Sequence, residues 1–339
     1  MRRLIAFVCL AGLAPIPALA NDSIAELGAG GIVLSRTDVV AMEKEDLFIS
    51  MDKVEVDYVF RNQSDEDVNA IVAFPMPDID GSPWSMPAIP FDKEDNFLGF
   101  EVTVDGKPVA PSLQHRAVAL GIDVTEELEA ASVPLFPFGD AAIEGLKQLD
   151  DATAADWRDR GIIVIDEYDA GAGWQSVRTP FWKLRSTYWW RTVFPAGKAV
   201  PVWHRYQPGV GGSAGLTFFY DGKFQGETHA DYKKRYCMDE GFERGILKIA
   251  RESGSEWPPL MEHRIAYILK TGGNWAGGAI GQFTLTVDKG DVKNLVSFCG
   301  EGVKKIGPTT FQMTTEDFWP ERDLDILILK RSDYDGGAN

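Results

Sequence analysis

The pentapeptide Gly211-Gly-Ser-Ala-Gly215 has the G-x-S-x-G form in which a serine nucleophile stands on a strained turn between a strand and a helix. Ser213 would be that nucleophile, and Asp221 or Asp231 with His263 follows in the chain order of a hydrolase triad. The segment after it, LTFFYDG, reads as another strand, so a loop between strands is the competing reading. For want of a following helix the same glycines make no dinucleotide fingerprint. Asp78 and Asp80 ahead of Gly81 form a partial calcium loop, with Asp92, Glu94 and Asp95 as further oxygen donors. Ser82 and Pro83 stand where ligands belong, and no acid closes the pattern. His115, His204, His229 and His263 have no metal-ligand spacing, so a zinc site would have to be assembled by the fold. His204 lies on a strand and is expected to be a structural hydrogen-bonding residue. Asp166 and Glu167 are adjacent acids near tryptophans, but neighbours on a strand face opposite ways.

The densest feature is aromatic: Trp174, Phe181, Trp182, Tyr188, Trp189, Trp190, Phe194, Trp203 and Tyr206 fall in one short region. Aromatic faces stack on sugars and extended peptides, so Trp182, Trp189, Trp190 and Trp203 are candidates for a glycan or peptide groove. Packing against neighbouring elements is the other reading, since aromatics serve cores first.

These residues sit on strands for the most part. In KVEVDYVFRN, Val54, Val56, Tyr58 and Phe60 alternate with more polar positions, the pattern of a half-buried strand. NQSDED turns into NAIVAF, whose two following prolines stop it. FLGFEVTVDGKPV carries a strand that reverses at Asp105-Gly106. Between about Ser112 and Gly161 the period shifts toward short capped helices in DVTEELEAA, GDAAIEGLKQL and DATAADWRDRG, an insertion on a β domain. STYWWRTVF and AVPVWHRYQP form a long hairpin through PAGK, and a helical bridge follows over about Ala230 to Glu252. From Glu262 to Arg331 short strands return at the spacing of an immunoglobulin-like sandwich.

MRRLIAFVCLAGLAPIPALA has the basic start, apolar stretch and Ala-Leu-Ala ending of a secretory signal peptide, which puts the mature start at Asn21. The apolar stretch is too short to span a bilayer, and no later segment suggests a transmembrane anchor. Removing Arg2 and Arg3 takes the formal net charge from -17 to -19, the wrong sign for nucleic acid or an anionic membrane. Two cysteines remain, Cys237 and Cys299. In an oxidising compartment they are expected to pair.

The stretch Val54 to Val109, with its polar turn after Asn62, the F-P-x-P strand end and the D-G hairpin, resembles the vault/inter-alpha-trypsin domain. No D-x-S-x-S motif accompanies it, so metal-dependent adhesion is not implied. Over nearly the whole mature chain, EDLFIS, FPAGKAVPVWHRYQPGVGGS, TGGNWAGGAIGQFTLTVDKG and NLVSFCGEGVKKIGPTTF resemble an exported bacterial family, the domain of unknown function 4424. That resemblance implies an envelope location and assigns no reaction, ligand or catalytic residue.

The expected fold is mainly β: two β-sandwich-like domains, with a short helical insertion in the first and a helical bridge between them. The boundaries are 1–20 signal peptide, 21–228 first domain with its insertion at about 112–161, 229–256 bridge and 257–335 second domain. The expected role is a non-catalytic binding or interaction module of the periplasm or envelope. Its partner would be an envelope protein, a peptide or a glycan, and no cofactor is called for. A glycan or ester hydrolase and a structural assembly protein are the alternatives.

Overall fold

The computed structural model describes residues 21–28, 31–85, 87–90, 96–169, 171, 173–254 and 257–332. Residues 1–20, expected from the sequence to be a signal peptide, the acids Asp92, Glu94 and Asp95, and the tail from residue 333 lie outside them. The chain is mainly β. Alternation written into the sequence becomes burial: in the strand Val54–Asn62 the side chains of Val54, Val56, Tyr58 and Phe60 are buried, and Glu55, Asp57, Val59 and Arg61 are more open.

An eight-stranded sheet runs in the order Lys304–Lys305, Thr310–Phe318, Ile280–Asp288, Val40–Ile49, Val54–Asn62, Ala199–Tyr206, Glu101–Val104, Lys107–Val109. Asp105 and Gly106 both adopt positive φ at the expected reversal. A second sheet runs Ile122–Asp123, Ser112–Ala119, Lys183–Phe194, Val68–Pro75, Ser23–Gly28, Gly31–Leu34, with Ile79–Asp80 also beside Lys183–Phe194. A four-stranded sheet orders Gly211–Ser213, Leu260–Tyr267, Leu324–Arg331, Leu295–Phe298. The inner faces of all three meet in one core that includes Phe60, Phe74, Phe100, Tyr188, Trp190, Tyr267 and Ile326.

Five α-helices are described. In the insertion α1 is Thr125–Ala130, α2 is Asp140–Lys147 and α3 is Asp151–Asp159, the last capped by the Asp150 carboxylate on the Ala152 and Thr153 amides. They enclose a separate small core around Trp157, Leu128 and Leu146. Between strands, α4 is Gly226–Arg235 and α5 is Glu240–Ser253. Phe242, Ile246 and Ile249 on one side of α5 pack with Tyr232 and Tyr236 on Leu260, Leu327 and Leu329 of the four-stranded sheet. The Cys237–Cys299 disulfide joins the α4–α5 turn to the residue after Leu295–Phe298, with the Cα atoms 5.1 Å apart.

Three expectations are corrected. Lys183–Phe194 and Ala199–Tyr206 are not a hairpin, because each pairs in a different sheet and PAGK arches between the two. The turn NQSDED makes the same crossing, and the arches are bonded together. Buried Asn62 donates to the carbonyls of Glu66 and Phe194, the Ala196 amide donates to Asp67, and the Gly197 amide donates to the Ser64 carbonyl. Next, residues 112–119 are a strand of the second sheet, and helix begins only at Thr125. Finally, the expected boundary at 229–256 does not separate the sheets. Ile280–Asp288 pairs in parallel with Val40–Ile49, and Gly211–Ser213 pairs with Leu260–Tyr267, so both large β segments share strands across it. Alternation marks a strand and its buried face, but period 2 is silent on the partner.

Candidate functional site

Gly81 ends the stretch AFPMPDIDG where the backbone passes so close to Pro137 and the Trp182 carbonyl that a Cβ would sit 2.5 and 2.6 Å from them. The preceding Pro77-Asp78-Ile79-Asp80 forms one wall of a cleft of about 370 Å3. Tyr206, Pro208 and Gly209 contribute from the end of Ala199–Tyr206, Arg235 and Tyr236 from the end of α4, and Arg264 and Asp325 from two adjacent strands of the four-stranded sheet.

The cleft is a set of paired charges. Arg235 donates through Nε and Nη2 to Asp325, at 3.0 and 2.8 Å, and lies 5.4 Å from the Tyr236 ring centre. Its Nη1 has no hydrogen-bond partner among the described residues. Arg264 donates to Glu262 at 3.1 Å, to the Tyr232 hydroxyl at 2.8 Å and to the Gly212 carbonyl at 3.0 Å. Glu262 is fully buried, and Tyr232 and the Thr217 amide and hydroxyl also donate to it. Each guanidinium is therefore held in place by a carboxylate behind it, and the Arg235 side chain stays 48% exposed. Such an arrangement orients planar cationic donors toward a ligand oxygen. It supplies no activated nucleophile.

The residues expected to act do not converge. The Ser213 hydroxyl donates to the Gly215 carbonyl at 2.6 Å, and Gly211–Ser213 is a strand whose Gly212 pairs with His263. No helix begins there, so the nucleophile elbow is excluded by local structure. Asp78 is occupied by a two-point pairing with Arg185 at 3.1 Å, and Asp80 accepts from the Ser82 amide, which makes a turn. Among the described residues no group of three or more His, Cys, Asp or Glu is placed to hold a metal ion. Asp166 and Glu167 lie on the hairpin Ile163–Asp169/Trp174–Pro180, with Asp166 partly covered and Glu167 exposed.

The four tryptophans go to separate places and form no groove. Trp182 is buried in the insertion core, its indole N–H donating to the Leu135 carbonyl at 2.7 Å. Trp190 is buried in the main core. Trp189 points to the opposite face of the same strand and is half-buried there. Trp203 lies on the outer face of the eight-stranded sheet and donates to Glu55.

A second concentration of polar groups lies inside the main core. Asn21, Asp22, Ser23, Glu45, His204 and Thr271 are all fully buried. The Asn21 side-chain nitrogen donates to Glu45 at 2.9 Å, Tyr58 donates to the Asn21 oxygen, Tyr267 donates to Glu45 at 3.2 Å, and Thr271 donates to the Asn21 carbonyl at 2.7 Å. Neither carboxylate oxygen of Asp22 and neither ring nitrogen of His204 has a hydrogen-bond partner among the described residues, although His204 Nε2 stands 3.5 Å from Asp22. His204 is thus not the hydrogen-bonding strand residue expected. It is enclosed by the rings of Tyr58, Phe74, Phe100 and Trp190, and burial lowers it to about 3, so it is neutral. Burial raises Asp22 well above its ordinary value, with Glu45 adding to the effect. Burial also pushes Glu45 up to about 8, against the pull of its hydrogen bonds from Asn21 and Tyr267.

Sequence reasoning passed over Arg235, Arg264, Asp22 and Glu45. A signal existed for two of the buried groups: His204 shares the inward phase of Val200, Val202 and Tyr206, and Glu45 that of Leu47 and Ile49.

A family model described as "Domain of unknown function (DUF4424)" matches residues 20–327, and the chain belongs to that family. No curated protein matches the sequence. Among solved structures, one described as a "putative nutrient binding protein" from Legionella pneumophila is 17% identical, with a TM-score of 0.43, over 91% of this chain and 72% of that one. Dimeric latent PorU from Porphyromonas gingivalis is 9% identical with a TM-score of 0.14, and the alignment spans 95% of this chain but 21% of PorU.

Proposed function

We propose that this member of the domain of unknown function 4424 family is a non-catalytic binding protein that works outside the cytoplasm. Its ligand is a small polar molecule with an anionic group, held in the cleft between Arg235 and Arg264. The observation that carries this reading is the pair of guanidiniums on one cleft, each fixed from behind by a carboxylate, with Arg235 retaining an unengaged Nη1. Preorganised donors of this kind bind carboxylate or phosphate without further ordering cost. The location rests on the sequence of residues 1–20, and the Cys237–Cys299 disulfide accords with an oxidising compartment. No helix among the described residues is long and apolar enough to cross a membrane.

The test is a thermal-shift panel on the purified processed chain with acetate, succinate, glutamate, inorganic phosphate and a sugar phosphate. At least one should raise Tm at millimolar concentration, and Arg235→Gln should abolish the rise while Trp189→Ala preserves it. If no compound of the panel raises Tm, or if Arg235→Gln responds like the parent, the cleft is not an anion site.

A further inference from the structure

Residue 21 is fully buried, and all but one of its polar atoms have partners: the side-chain oxygen receives Tyr58 and the Asp22 amide, the side-chain nitrogen reaches Glu45, and the carbonyl receives Thr271. The backbone nitrogen is the remaining atom, without a partner among the described residues. Covalent geometry keeps it within roughly 5 Å of the side-chain nitrogen that touches Glu45. Beside it, both carboxylate oxygens of Asp22 lack a partner. No lysine or arginine among the described residues pairs with Asp22 or Glu45, and the neighbouring His204 is neutral. Two acids therefore share a fully buried site with no lysine or arginine among the described residues to pair with them, a costly arrangement unless a cation is supplied.

We infer that the missing cation is the chain's own α-ammonium, generated by cleavage between Ala20 and Asn21, and that this buried charge completes the mature fold. The inference rests on the proposed export reading. In the cleavage, water hydrolyses the Ala20–Asn21 amide under a leader-removing protease. The carboxylate leaves with Ala20, and the freed Asn21 nitrogen takes up a proton. An amide nitrogen offers one donor and no charge, whereas the ammonium offers three donors and a full positive charge to Asp22 and Glu45. The surroundings already fit closely around this residue: a Cβ on Gly272 would stand 3.0 Å from the Asn21 side-chain nitrogen, and Trp275 anchors the Asp22 carbonyl at 2.7 Å. Burial raises both carboxyl groups in the amide-linked chain, and for Asp22 the neighbouring Glu45 adds to the rise.

Two forms of the protein test this: the chain exported and processed in a bacterial host, and the same chain extended by Ala20 alone. Intact mass first reports whether the processed chain begins at Asn21. Any other start overturns the cleavage reading, separately from the role of the charge. An amine-selective acylating reagent is then applied to the native and urea-unfolded processed chain, and the N-terminal peptide is quantified by mass spectrometry. The Asn21 amine should label roughly 100-fold more slowly in the native state. The Ala20-extended form should melt roughly 5 °C lower or more, and Glu45→Gln in both forms should shrink that gap. Equal labelling of native and unfolded chain, or equal Tm for the two forms, overturns the inference, and the labelling result stands even if the extended form does not fold.

Discussion

The buried acids make a pH prediction whose sign depends on Asn21 being amide-linked, so the form to perturb is the Ala20-extended chain. Glu45 titrates at 4.5 when unfolded and at about 8 in that fold. The folded chain then holds a proton that the unfolded chain has released, and stability falls as pH rises from 4.5 to about 8. His204 acts oppositely: lowered from 6.5 to about 3, it costs stability as pH falls below 6.5 and is silent above it. The two offset each other in acid, and the Glu45 slope emerges between pH 6.5 and 8. Asp22, also raised, adds a slope of the same sign wherever it titrates. The other titratable groups facing the cluster, Tyr58, Tyr206 and Tyr267, are all pushed upward and stay protonated throughout. At 1.36 kcal/mol per pH unit, Glu45 alone accounts for about 2 kcal/mol over this window. Urea unfolding followed by tryptophan fluorescence at pH 6.5 and 8.0 measures it. The extended chain should lose about 2 kcal/mol more than its Glu45→Gln variant. In the processed chain the α-ammonium keeps Glu45 ionised, and the excess should fall below half. An unchanged slope in Glu45→Gln, or stability that rises with pH in the extended chain, would refute the reasoning.

Two more outcomes are expected. Reducing Cys237–Cys299, or Cys237→Ser with Cys299→Ser, should lower unfolding stability by about 4 kcal/mol in the chain-entropy picture for a separation of 62 residues, read as the urea midpoint with and without reductant. An unmoved midpoint with both thiols shown free would count against it. Trp182→Ala should cost about 3–5 kcal/mol and leave the response to cleft anions intact, since the indole fills the insertion core; a lost response at unchanged stability would restore it as a ligand surface.

How far the sequence could be read follows from what is local. The strands Val54–Asn62 and Ala199–Tyr206, the Asp105-Gly106 reversal and the three insertion helices were legible because alternation, turn chemistry and helical periodicity are short-range, although of the three helices only α3 carries the expected side-chain cap at its assigned N-cap residue. The partner of a strand is not short-range. The pairing of Ile280–Asp288 with Val40–Ile49 joins segments with no mark of each other, and the same limit hid the crossing between sheets at Pro195 to Lys198. The cleft was illegible for a similar reason, since Arg235 ends a helix, Arg264 and Asp325 sit on different strands, and only the four-stranded sheet brings them together. Glu45 was partly hidden by an irregularity between Met42 and Lys44, which shifts the inward phase of its strand.

The parallel pair of Val40–Ile49 with Ile280–Asp288, and the Thr271 hydrogen bond to Asn21, bear on the order of events in time. Contacts separated by some 240 residues close only when the last third of the chain is present, and such closure is slow. A nascent chain that has delivered its first strands but not residue 280 exposes an unpaired edge at Val40–Ile49 and has no hydroxyl from Thr271 for the Asn21 carbonyl. Its topology leaves the sheet that contains Val40–Ile49 incomplete until residues 280–288 have been synthesised, so the large sheet cannot close while the chain is still short of them.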